Sequence, residues 1–229
     1  MTARGRHGVA GVVLAVLMVL TGARCAEETD GASPPDPAPG DSAPASGAPS
    51  RDAPASGKLL DSLEVRPPGT MDGYARDRFP HWSARDGGCD TRDAVLRRDG
   101  TEVRTEDECD VVSGRWRSPF DGAEWTDPSD VDVDHVVPLA EAWRSGARAW
   151  DDARREEFAN DMERPQLLAV TDNVNQEKGD SPPDAWKPPR EGYWCTYARS
   201  WVTVKAHYEL SVTTAEKRAL RGMLDRCPA

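Results

Sequence analysis

An alternating run, Val131-Asp132-Val133-Asp134-His135, is followed downstream by a second apolar run, Leu167 to Val170, and then by a polar stretch carrying Asn175 and Lys178. Period-two alternation predicts a short strand for the first run, and Pro138 marks its end. The second run is a strand by its length. Thr171 or Asp172 can cap a helix that begins near Asn173. Between the strands, Leu139 to Ser145 reads as a helix stopped by Gly146. Trp150 to Asn160 reads as a charged helix with Trp150, Ala153 and Phe158 on its buried side. The order is therefore strand, insertion, strand, helix.

The polar residues of this unit are parts for phosphodiester hydrolysis. Asp134 is an oxygen ligand suited to a hard cation, with Asp132 as the alternative on the same strand face. His135 is an imidazole able to take a proton from water. Asn175 is a second oxygen ligand that suits Mg²⁺ or Mn²⁺ better than zinc. Lys178, one turn later on the same helix face, is placed to contact a phosphate. Each has a plainer reading: a histidine satisfied at a strand end, a helix-cap asparagine, a solvated lysine. Neighbours on a strand point to opposite faces, so Asp134 and His135 can share a site only where the strand ends or bends.

The rest of the chain divides by composition. Residues 1–25 read as a signal peptide: Arg4 and Arg6, an apolar run from Val9 to Leu20, then Thr21, Gly22 and Ala23. Cys25 is a candidate lipid-anchored first residue, although Arg24 before it fits that processing poorly. Residues 26–57 hold no Leu, Ile, Val, Met or aromatic residue and read as a disordered Ala/Pro/Ser/Gly-rich linker. Residues 58–229 carry all eight tryptophans and form one domain. Removing the leader takes away three arginines and no acid. That leaves 26 basic and 40 acidic residues, a net charge of −14. That balance argues against broad, non-specific binding of nucleic acid by phosphate neutralisation; it does not exclude a local basic site or a cation-assisted one.

Behind the signal peptide, Cys89, Cys109, Cys195 and Cys227 read as two disulfides of a secreted protein. Of three connectivities, Cys89–Cys109 closes a loop around the Asp99-Gly100 turn. Cys195–Cys227 joins the outer ends of a C-terminal helical hairpin. The hairpin's first helix carries Trp194, Tyr197, Trp201, Val204 and Tyr208, an aromatic stripe that reads as core. Its second is announced by a capping box, Thr213 to Glu216. Thr101–Arg104, Cys109–Arg117 and Ala123–Thr126 read as strands, which makes the N-terminal part β-rich. A structural zinc protein is excluded by cysteine spacing and by only four histidines.

Taken in order, Asp132-Val133-Asp134-His135-Val136-Val137-Pro138-Leu139, Phe158-Ala159-Asn160-Asp161, Pro165-Gln166-Leu167-Leu168-Ala169-Val170, Asn175-Gln176-Glu177-Lys178-Gly179-Asp180 and Trp186-Lys187-Pro188 resemble secreted actinobacterial HNH endonuclease-family proteins. Their domain is similar to the C-terminal domain of GmrSD-type restriction endonucleases. The resemblance implies an α+β fold with a ββα-metal core and a phosphodiesterase acting on DNA more readily than RNA. It implies Asp134 and Asn175 as ligands of Mg²⁺ or Mn²⁺, His135 as general base, and Lys178 at the phosphate. Gln166 stands where the family pattern has an asparagine that orients the histidine; Asn160 and Asn173 are weaker substitutes. The expected protein is a monomer. The competing reading is a non-catalytic extracellular binding or wall-associated module on the same fold.

Overall fold

The computed structural model describes residues 53–228. The expected signal peptide, the Cys25 anchor and most of the linker lie outside those residues. The described chain opens on helix α1 (Ala53–Ser62), which spans the expected start of the domain at residue 58. Leu60 and Leu63 are buried in the main core, and this apolar pair is what recruits the preceding small residues into a helix. Helix α2 (Thr91–Asp99) follows, closed at its start by a reciprocal capping box between Asp90 and Asp93. The part before the catalytic-type motif is therefore mixed rather than simply β-rich.

Strands β1 (Thr101–Glu106), β2 (Asp110–Arg117) and β3 (Glu124–Trp125) form an antiparallel sheet in that order. The Cys89–Cys109 disulfide ties the segment before α2 to the β1–β2 turn. Strands β4 (Val131–His135) and β5 (Leu167–Thr171) form a separate antiparallel pair, with Asp134 opposite Leu168 and His135 opposite Leu167. Helices α3 (Leu139–Ser145) and α4 (Asp152–Ala159) fill the insertion. Gly146 ends α3 at φ 147°, a backbone state that glycine reaches without strain. Helix α5 (Asp172–Lys178) leaves directly from β5. Thr171 sits at its N-cap position without capping it, because its hydroxyl bonds Trp125 and Asp121 instead.

Helices α6 (Trp194–His207) and α7 (Thr214–Leu224) make the expected hairpin, with the Thr213–Glu216 capping box formed and Cys195 bonded to Cys227. Tyr197, Trp201, Val204 and Tyr208 are buried, as a core stripe must be.

The β4–β5 pair has a core on each face. Val131 and Val133, with Leu167 and Ala169 across from them, pack with Val95, Leu96 and Trp116. Val170 on the other face joins the larger core of α1, α3, α4, α6 and α7. Strand periodicity therefore sends Asp132 and Asp134 to the second face, toward α5. It sends His135 to the first.

Candidate active site

His135 closes β4 and is 5% exposed. Its Nε2 lies 2.9 Å from the carbonyl oxygen of Ala159, at the end of α4. A carbonyl only accepts, so Nε2 carries the proton and Nδ1 is left as the acceptor nitrogen. The ring stacks on Trp82 with centroids 5.6 Å apart and planes 26° off parallel, and His81 meets it edge-on at 6.3 Å. Trp82 holds φ 61°, the left-handed region that bulky residues seldom occupy. Burial pushes the imidazole from 6.5 down to about 3, partly offset by the Ala159 bond and reinforced by Arg76, His81 and Lys178.

Asp134 enters the space under α5. Its Oδ1 accepts from Lys178 Nζ at 2.7 Å, while its Oδ2 is buried without a hydrogen-bond partner among the described residues. Burial raises its carboxyl, Lys178 lowers it, and Asp132 nearby raises it again. Lys178 is fully buried and also donates to the backbone oxygen of His135 at 2.9 Å. The expectation of a lysine free to grip a phosphate is corrected: this ammonium balances a buried carboxylate. Asn175, half-buried, donates its amide to Asp132 Oδ2 at 3.0 Å.

Gln166 does not orient His135. Its side chain forms a paired clasp on the backbone of Val137, accepting from the N–H at 3.1 Å and donating to the oxygen at 2.9 Å. Its own backbone oxygen takes the N–H of Val136. Gln166 thereby fixes the turn out of β4, and the Ala159 carbonyl does the orienting. Asn160, next along, bonds the backbone of Ser83 and Pro80 and so holds the segment that carries His81 and Trp82.

The expected convergence of Asp134, His135 and Asn175 on one cleft is only half met. Asp132, Asp134, Asn175 and Lys178 share one face of β4; the His135 ring occupies the other. The reason is the two-residue period, which holds through the last residue of the strand. The aromatic cover by Trp82 comes from a segment more than fifty positions before His135, and no motif in the sequence marks it.

All three donors facing α5 are oxygens, and one of them, Asp134 Oδ2, is unpartnered. That donor chemistry fits a hard divalent cation carrying several waters. Among the described residues no group of three or more His, Cys, Asp or Glu forms a protein-only cage. Nor is any described helix long and apolar enough to cross a membrane.

Comparison with known proteins then places the chain. The family described as GmrSD restriction endonucleases, C-terminal domain, matches residues 90–223. A protein of the fungus Arthroderma benhamiae, described as an uncharacterized secreted protein, is 60% identical over 169 residues, covering 74% of this chain and 83% of its own. No solved structure matches. The relative is fungal, so the actinobacterial part of the resemblance gains no support, and nothing in the comparisons supports a lipid anchor. By the matched span and by this relative, the chain belongs to the GmrSD restriction endonuclease C-terminal domain family.

Proposed function

We propose that this chain is a secreted, monomeric, metal-dependent nuclease of the HNH type that hydrolyses phosphodiester bonds, in DNA before RNA. The observation that carries this reading is the state of His135. Its Nε2–H is committed to Ala159, which leaves Nδ1 deprotonated at neutral pH and able to receive a proton. Family membership supports the nuclease class, and the secreted relative supports export.

His135 is the base in this reading. A group held near 3 is too weak to deprotonate water well, because a general base works best near the working pH. Substrate and water entering beside Trp82 would relieve the burial that depresses it. Trp82 is half-buried and stacked on the imidazole, so it forms the wall that must yield. Asp132, Asp134 and Asn175 are the residues that would hold Mg²⁺ or Mn²⁺. When bound, such a cation neutralises charge on a phosphate and its leaving oxygen. Lys178 keeps Asp134 in place, and through the His135 backbone oxygen it links the donor face to the base.

One observation favours the second reading, a non-catalytic module. The base and the oxygen donors lie on opposite faces of β4, and Lys178 already occupies Asp134. A cleavage assay on the oxidised mature chain separates the two. Cutting of DNA with Mg²⁺ or Mn²⁺ that stops with EDTA supports the nuclease. No cutting of DNA or RNA under any of these conditions establishes the module.

A further inference from the structure

A cavity of about 410 Å³ lies away from the β4–β5–α5 unit, lined by Arg66, Arg144 and Arg148 together with Pro67, Trp143 and Ala149. Its lining, completed by glycines and serines, contains no aspartate or glutamate. On a chain with 40 acidic residues and 29 basic ones, three guanidinium groups around one acid-free cavity define a local positive site.

The three arginines are held differently. Arg144 is fixed: Nε on Glu141 at 3.1 Å and Nη2 on the backbone oxygen of Asp180 at 2.7 Å. The backbone oxygen of Arg144 takes the N–H of Gly69 at 2.7 Å, which fastens the loop carrying Arg66 and Pro67 to α3. Any side chain at position 69 would come within 2.9 Å of that oxygen, so the close approach requires glycine. Arg148 is exposed, and among the described residues its Nη1 bonds the Thr70 hydroxyl, at 2.9 Å. Arg66 is exposed and meets Glu64 at 3.3 Å, a surface pair of little strength. Arg148 has donors to spare for an incoming anion, and Arg66 would exchange its long contacts to Glu64 and to the Ser145 backbone oxygen for one. The third fork, Arg144, is already oriented.

Trp143, which closes one side of the cavity, is 2% exposed, and its indole N–H is buried without an acceptor among the described residues. Arg144 also lines a separate groove of about 680 Å³ just beyond α5, whose walls include the acids Glu141, Asp180 and Asp184, so the positive site is confined to the acid-free cavity.

We infer that the Arg66–Arg144–Arg148 cavity is a phosphate-binding subsite that holds a backbone or terminal phosphate of a nucleic-acid strand. Forked guanidinium groups suit phosphate oxygens, and Pro67 and Ala149 offer apolar surface to the attached sugar. The oxyanion chemistry stands on the cavity alone; nucleic acid as its source rests on the proposed nuclease reading.

The test is calorimetric titration of the full mature chain in EDTA, which keeps cleavage out of the readout. The probes are inorganic phosphate, a 5′-phosphorylated oligothymidylate, and the same oligonucleotide without its terminal phosphate. The unmodified chain should bind phosphate and both oligonucleotides, the phosphorylated one more tightly. Arg66→Gln with Arg148→Gln should weaken all three by at least about tenfold. Both positions are exposed, so the melting temperature should be unchanged, and Arg148→Glu alone gives a second variant with the same expected loss. Equal binding by the variants, or no binding by the parent chain, overturns the subsite. Binding of phosphate but of neither oligonucleotide overturns nucleic acid as its source. Cleavage with Mg²⁺ or Mn²⁺ is scored separately: a chain that binds these probes but never cuts removes the nuclease reading and leaves the subsite standing.

Discussion

Lys178 Nζ sits 2.7 Å from Asp134 Oδ1, and neither side chain reaches solvent appreciably. A buried ion pair of this kind contributes little relative to an apolar pair, but breaking it on one side is costly. Lys178→Met should therefore destabilise the fold by about 3–5 kcal/mol, and Asp134→Asn in the same chain should recover much of that. Urea unfolding of the two single variants and the double variant reads the coupling. A Lys178→Met chain as stable as the parent would show that the lysine is a surface group after all.

If Nδ1 of His135 is the proton acceptor, His135→Ala should abolish metal-dependent cleavage by a folded protein. Trp82→Ala should behave differently. It uncovers the imidazole that Trp82 stacks on, so the pH profile of activity should move while some turnover remains. Unchanged turnover in folded His135→Ala would end the assignment.

Glu216 supplies the pH prediction. Burial raises its carboxyl above the ordinary 4.5, against the pull of Lys205, and Glu141 raises it further. The Trp201 indole N–H, at 2.6 Å from the same oxygen that Lys205 reaches, pulls it down. The net shift is upward, so the folded chain holds this proton more tightly than the unfolded one. The contribution to stability is fully present below 4.5 and is lost as pH rises above it. Glu216→Gln should remove that component, so its stability relative to the parent should increase from about pH 4 to about pH 7. Denaturant midpoints across that range measure it; a difference of opposite sign would refute the raised carboxyl.

The two disulfides should contribute about 3–4 kcal/mol each in the chain-entropy account of cross-linking. Cys195–Cys227 joins the start of α6 to the segment after α7. Reduction should therefore lower the melting temperature and weaken activity together. Cys89–Cys109 anchors the segment between Trp82 and α2, so Cys89→Ser with Cys109→Ser should disturb the His135 cover first. Equal loss from both double variants in the pH profile of activity would contradict that division.

Helix α1 spans the expected domain start at residue 58 and makes that boundary testable by truncation. A chain beginning at Ala53 should melt with the full mature chain, since residues 26–52 carry no large apolar side chain to bury. Removing residues through Leu63 should cost several kcal/mol, roughly 1.5–3 for each of the buried Leu60 and Leu63. Thermal melts of the two chains decide this.

The sequence by itself determined the order of elements around the motif, α3 and its stop at Gly146, the Thr213–Glu216 cap and both disulfides. These are local matters: side-chain period, cap chemistry and loop closure are written within a few residues of where they act. The sequence also named Asp134, His135 and Asn175 and set the strand period against a shared site for the first two. What only tertiary structure decided is where each side chain's partner lies. Lys178 is buried because Asp134 lies across the β4–α5 interface, 44 positions away in the chain. Gln166 is spent on Val137, 29 positions away. His135 takes its tautomer from Ala159 and its cover from Trp82. None of these pairings has a local signature, since a polar side chain looks the same in sequence whether it meets water, a phosphate or a buried partner. Desolvation on folding makes the difference, and it acts on neighbours that the chain brings together only in three dimensions.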